Sequence, residues 1–170
     1  MGIETNSDGL TRRYGSVGHD GVGNTRATSV GGAGGQLVID FTFDNLPGFD
    51  EEAGGGTTPD SFSGLQARIP GGSYIESAFL LITEEWDSAG NNSTLTIGTY
   101  EQDGTVIDDD GIDAAIAEAD MDPAGSVVVC DGAQVGGTVG IGEDDAYILA
   151  VTANTPTSGA ARLVVNYIMA

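Results

Sequence analysis

The chain has 170 residues, of which 26 are Asp or Glu and five are Arg, and it carries a formal charge of −21 with no lysine. A polyanion of this kind is repelled by nucleic acid and by anionic lipid, so neither is expected as a partner. No stretch approaches the about 18 apolar residues that read as a membrane-spanning helix, and with Cys130 as the single cysteine no intrachain disulfide can form.

The charge is divided unevenly. Residues 1–36 set Arg12, Arg13 and Arg26 against Glu4, Asp8 and Asp20 and are neutral, so the whole net charge lies in residues 37–170, where only Arg68 and Arg162 are basic. Spread over a domain of this size, that charge repels itself by roughly 40 kcal/mol unscreened, against the about 5–15 kcal/mol by which a domain is ordinarily stable. At about 1 M salt the Debye length falls to about 3 Å and the long-range part disappears. The composition reads as that of a protein adapted to concentrated salt.

In chain order, residues 1–36 contain ten glycines, and their larger apolar residues are isolated, with no helical or strand period. The segment reads as an extended Gly-rich N-terminal arm that buries too little surface to order itself alone. Arg12, Arg13, Tyr14 and Arg26 are its candidate partner-binding residues, since arginine and aromatic side chains carry most interface energy. The neighbouring Arg12 and Arg13 precede no apolar core and do not read as a secretion signal.

From residue 37 to 170 the pattern is that of one β domain. Leu37, Val38, Ile39, Phe41 and Phe43 form a first strand, followed by an acidic, Gly-rich loop to about Phe62 and a short strand from Leu65 to Ile69. Pro70-Gly71-Gly72 is a turn. Tyr74 to Thr83 is a long strand, apolar on both faces at Phe79, Leu80, Leu81 and Ile82 and therefore expected in the middle of a sandwich. A turn at Ser88 to Asn92 leads to the alternating strand Thr94 to Thr99, expected to pair with its predecessor as a hairpin.

The spacing of Ile112, Ala115, Ile116 and Ala119 predicts one short helix within Asp108 to Asp122, its start loaded with carboxylates. Strands at Ser126 to Cys130, Ala146 to Ala153 and Ala161 to Met169 close the chain, with a short edge strand at Val135 to Ile141. The whole predicts an antiparallel β-sandwich, jelly-roll-like, with one short helix.

Little here carries chemistry. The only histidine, His19, lies in the Gly-rich segment, where no nucleophile and base can be held rigidly together, so no enzymatic activity and no cofactor are expected. Asp108, Asp110 and Asp113 form a candidate cation site, but an EF-hand alignment places Val106 and Ala117 at ligand positions, and a solvated acidic segment is the simpler reading. Asn91 and Asn92 begin overlapping glycosylation sequons in what composition alone explains as a turn.

The block Arg68-Ile69-Pro70-Gly71-Gly72-Ser73-Tyr74-Ile75-Glu76-Ser77-Ala78 resembles a strand start recurring in small head proteins of tailed viruses. The order that follows is similar: a long apolar strand, a Ser/Asn turn, the Thr94 to Gly98 strand, Asp108 to Ile116, Val127 to Gly137, Ala146 to Ala153 and Ala161 to Ile168. The resemblance, covering roughly residues 65–170, is to capsid decoration or cement proteins. It implies a β-sandwich, commonly trimeric, on the outer capsid surface, stabilising an icosahedral shell by binding the major capsid protein. Other virion components, such as a vertex turret, tail or fibre-base subunit, and a carbohydrate-binding module with Trp86 and tyrosines as its platform, are the alternatives.

Overall fold

A computed structural model describes residues 34–48, 68–101, 103–137 and 139–169, together with three strands of backbone in the N-terminal segment. The acidic loop that follows Gly48, His19 and Gly31 to Ala33 lie outside the described residues. Among the described residues eleven strands run in chain order: β1 (Ile3–Thr5), β2 (Thr11–Tyr14), β3 (Arg26–Val30), β4 (Gly34–Thr42), β5 (Arg68–Ile69), β6 (Ser73–Ser88), β7 (Thr94–Tyr100), β8 (Val106–Ala117), β9 (Val127–Val129), β10 (Ala146–Ala153) and β11 (Pro156–Met169).

They form two antiparallel sheets, one ordered β1-β2-β3-β4-β11-β6-β9 and the other β5-β10-β7-β8. If the eight strands from β4 onward are counted one to eight, the sheets read 1-8-3-6 and 2-7-4-5. Apart from the β7–β8 pair, each successive strand changes sheet, which is the winding of a jelly roll. The fold class read from the sequence holds.

Alternation builds the core. Leu37, Ile39 and Phe41 of β4, Ala78, Leu80 and Ile82 of β6, and Ala161, Leu163 and Val165 of β11 point inward from the seven-stranded sheet. They meet Leu95 and Ile97 of β7, Ile112 and Ile116 of β8, and Ala146, Ile148 and Ala150 of β10. Each large aliphatic side chain removed from water in this way contributes about 1.5–3 kcal/mol. At one end Trp86 is buried, edge-on to Phe41 with ring centroids 6.4 Å apart. Gly159, at φ +137°, lies flat beneath the indole, where any Cβ would run into the ring.

Four expectations are corrected. The segment expected to be helical is strand β8 followed by a single 3-10 turn at Glu118–Asp120. Its register explains the misreading: Leu95 pairs with Ile116 and Ile97 with Asp113, so one extra residue is inserted where Ala115 adopts φ 55°. That bulge places same-face residues three apart instead of two, imitating a helical period. Second, β6 and β7 are not a hairpin, because both edges of β6 are taken by β11 and β9, and β7 crosses to the other sheet. The buried Glu118 carboxylate fixes that corner, accepting hydrogen bonds from the hydroxyls of Ser88 and Ser93 (both 2.6 Å) and from their backbone amides (3.2 and 2.9 Å). Third, the described residues between Val135 and Ile141 form no strand; they meet β6 through isolated bridges at Ile75 and Tyr74 and through amides donated to the carbonyls of Ile75 and Ser73. Fourth, Phe79 and Leu81 are not sealed inside the sandwich; they face out from the seven-stranded sheet and are half-buried.

The N-terminal segment, which has no apolar period, contributes β1, β2 and β3 to the chain's own sheet. β3 pairs with β4 from Arg26↔Val38 to Val30↔Gly34. Such pairing uses backbone hydrogen bonds, which carry no hydrophobic signature in sequence.

Candidate interaction surface and acidic cluster

The outer face of the seven-stranded sheet is organised in cross-strand rows. The first runs Tyr14, Arg26, Val38, Val164, Phe79, Val129 through β2, β3, β4, β11, β6 and β9. A parallel row runs Asp40, Arg162, Leu81, Val127. On the other side lie Glu4, Arg12, Thr28, Gln36, Asn166 and Ser77. Three of the chain's five arginines fall in these rows against two carboxylates, so the rows are less acidic than the molecule as a whole, while Glu76, Glu85 and Asp87 lie exposed along β6 outside them.

Where side chains are described, the middle of the face is apolar. Val38, Val164, Phe79 and Leu81 are half-buried, and on the edge strand β9 Val127 is 58% and Val129 67% exposed. The band is bounded by polar pairs. Asp40 accepts from Arg162 through both oxygens, at 2.6 and 3.0 Å, and this carboxylate holds the guanidinium pKa above its usual value. On the other side Gln36 donates to Asn166 (2.9 Å), which donates to Ser77 (3.0 Å).

Of the four arm residues singled out in the sequence, register brings Arg12, Tyr14 and Arg26 into these rows. It puts Arg13 in the row of Ala27, Leu37, Val165 and Ala78, the core-facing set. The valines, Phe79 and Leu81 are not among the candidate partner-binding residues that the sequence offers. One signal was available: a strand apolar on both faces, in a fold of only two layers, has one apolar face left over.

The second feature is at the irregular edge. Twelve residues of β8 run beside seven of β7, and the surplus bulges out around Asp108 to Ile112. The carboxylate oxygens of Asp108, Asp109 and Asp110 gather within 4.8 Å of one another. Asp113, the third residue of the sequence-derived cation set, is not among them; it lies against Asp131 and accepts from the Cys130 thiol. Burial, with Asp131 adding repulsion, raises the Asp113 pKa; burial and then Asp110 raise that of Asp108.

Backbone contacts hold the bulge. Gly132 and Gln134 donate their amides to the carbonyls of Ile112 and Gly111 (both 2.9 Å), and the buried Gln134 side chain accepts from Thr99 Oγ1 (2.7 Å). Gly98 lies so close under Asp108 and Asp109 that no side chain fits.

Nothing described is arranged for covalent catalysis. Burial pushes the Cys130 thiol up to about 12, with Asp113 adding to the shift, whereas a reactive cysteine has its pKa lowered. A shallow depression lined by Glu101, Asp103, Asp144, Asp145 and Tyr147 is acidic throughout. Trp86 is sealed in the core, where it cannot serve as a sugar platform.

No protein-family model and no curated protein sequence matches the chain. Among solved structures, a chain from the capsid of Ralstonia phage GP4 is similar, with a TM-score of 0.52 and 18% identity, over 84% of this chain and 89% of that one. At that identity the likeness is one of fold.

Proposed function

We propose that this chain is a structural virion protein that decorates and stabilises an icosahedral capsid, binding the major capsid protein on the outer surface as a trimer in concentrated salt. The observation that carries the reading is the jelly-roll fold, shared along most of its length with a phage capsid chain. The distribution of function-bearing features agrees with it: a broad face of apolar residues and arginines, an acidic remainder, and a lone thiol pushed away from reactivity. Such a protein acts by contact area alone, spreading many weak contacts over a lattice so that avidity replaces a single deep pocket.

The N-terminal segment is the part assigned to shell attachment, being neutral where the rest of the chain is acidic. Deleting residues 1–30 tests this. The β4–β11 sandwich keeps its own core and is expected to stay folded by circular dichroism, while co-sedimentation with particles falls at least tenfold. Undiminished co-sedimentation by the folded, truncated protein would reject the role.

A further inference from the structure

We infer that the outer face of the seven-stranded sheet, centred on Val38, Val164, Phe79 and Val129, is where a second copy of this chain packs. The inference deepens the proposed oligomer by naming its surface, and it rests on that reading only for the oligomer's place on a particle.

Three observations carry it. The first is the apolar band itself, continuous over four strands by register and most exposed at its β9 end. Contiguous exposed apolar area on a soluble protein marks an interaction site. The second is charge. Two copies of a chain with net charge −21 repel each other over most of their surfaces. In the rows of this face, however, Arg12, Arg26 and Arg162 outnumber Glu4 and Asp40, and Asp40 is already held by Arg162. This is the approach along which two copies repel each other least. A basic partner, by contrast, would find its carboxylate contacts elsewhere on the molecule. The third is area. β4 and β11 pair over nine residues, so with β6 the face measures about 14 Å by about 30 Å at ordinary strand spacing, and the three residues of β9 bring it to on the order of 500 Å². That is more than half of the roughly 800 Å² per partner of a standard interface.

The geometry suits packing of faces better than addition of a strand. β9 has only three residues, too short an edge to hold a partner by backbone pairing alone, while its valines project from the sheet beside Phe79 and Leu81.

The test is the mass of the isolated full-length protein in about 2 M NaCl, by light scattering across a dilution series, with no particles present. The wild type is expected at a multiple of 17.2 kDa. Val127→Glu/Val129→Glu alters two exposed positions and is expected to weaken association at least tenfold with an unchanged melting temperature. Val151→Glu, also exposed but on the opposite sheet, should leave the mass unaltered. Should the double variant fold poorly, Phe79→Thr keeps a strand-favouring residue and should give the same dissociation.

A monomeric wild type at about 100 μM would overturn the inference, as would an oligomer that survives either face variant or one that Val151→Glu dissolves equally. Particle co-sedimentation, measured separately, keeps the two proposals apart. Loss of particle binding with the oligomer intact would give this face to the shell protein and refute self-packing while leaving decoration standing. An oligomer sensitive to the face variants, from a protein that binds no particle, would do the reverse.

Discussion

Along β4 and β11 nine residue pairs follow one another without a break, whereas β8 needs twelve residues to pass seven of β7. The regular sheet sets a band of half-buried Val38, Val164, Phe79 and Leu81 beside a bidentate ion pair; the irregular pair carries three adjacent carboxylates on its bulge. Each arrangement suits its charge. A flat, regular sheet packs against another surface with few gaps, and carboxylates there would have to be desolvated. A bulge lifts backbone and side chains into solvent, where carboxylates stay hydrated and counterions can reach them. The chain thus confines its electrostatic cost to places where salt can offset it.

Removing salt should have the largest effect and should fall unequally on the two regions. Between about 1 M and about 0.01 M the Debye length grows from about 3 to about 30 Å, so the repulsion among 26 carboxylates and five arginines becomes long-ranged. The melting temperature is expected to drop by more than about 10 °C. Amide exchange in Asp108 to Ile112 should accelerate before that of Leu37 to Phe41. A melt independent of salt, or equal acceleration in both regions, would remove the distinction drawn between them.

Two glycines sharpen the comparison by steric means. Gly159→Ala puts a methyl into the Trp86 ring at a backbone angle of +137° that L-residues avoid, and the ring is pinned edge-on by Phe41. Overpacking and backbone strain together should cost about 3–5 kcal/mol in denaturant unfolding. Gly98→Ala pushes instead on the bulge backbone at Asp108 and Asp109, which is anchored but borders solvent. About 2–3 kcal/mol is expected there, with the loss concentrated in the exchange rates of β8. If the two substitutions cost the same and act globally, the bulge is as integral to the core as the Trp86 corner.

Acid titration probes the junction between the sheets. Glu118 is held at about 2 by the hydroxyls of Ser88 and then Ser93, below its ordinary 4.5. A depressed carboxylate contributes stability that is complete above its unfolded pKa and is lost as pH falls through the folded one. Stability should therefore decline between about pH 4.5 and about pH 2. Glu118→Gln, which keeps the shape, should flatten that limb of a melting-temperature profile while lowering its plateau, because the amide cannot accept from four donors as the carboxylate does. A parallel, merely shifted profile would mean that other groups govern the acid limb.

Much of this was legible in the residues. Strand β10 lies where alternation and flanking turns put it, from Ala146 to Ala153, and the hydrophobic runs of β4, β6 and β11 sufficed for a two-sheet sandwich. What the residues concealed has physical causes. The bulge at Ala115 converts a strand period into a helical one, and the strands at Ile3, Thr11 and Arg26 are placed by backbone pairing, which leaves no apolar period to read. The candidate face was half visible: composition singled out Arg12, Tyr14 and Arg26. Only register, which no single segment contains, shows that Tyr14 and Arg26 share a row with Phe79 and Val164, that Arg12 falls in the row of Gln36 and Asn166, and that Arg13 falls in neither.

The smallest expected effect belongs to the Arg162–Asp40 ion pair on the regular face. Arg162 and Asp40 meet in bidentate geometry, but their side chains are 46% and 33% exposed, and exposed pairs are worth at most about 1 kcal/mol. Arg162→Gln should thus shift the urea midpoint by no more than that value implies, and Asp40→Asn by a similar amount, with the double variant no worse than either. The pair's location gives it a second readout. Arg162 is one of the three arginines in the rows of the face, and its loss leaves Asp40 without that partner at the border of an apolar band, so self-association should weaken in Arg162→Gln more than in Asp40→Asn. Equal effects of the two substitutions on association would mean that the sign of the charge on this face is irrelevant, and that the contrast between the two sheets is one of shape alone.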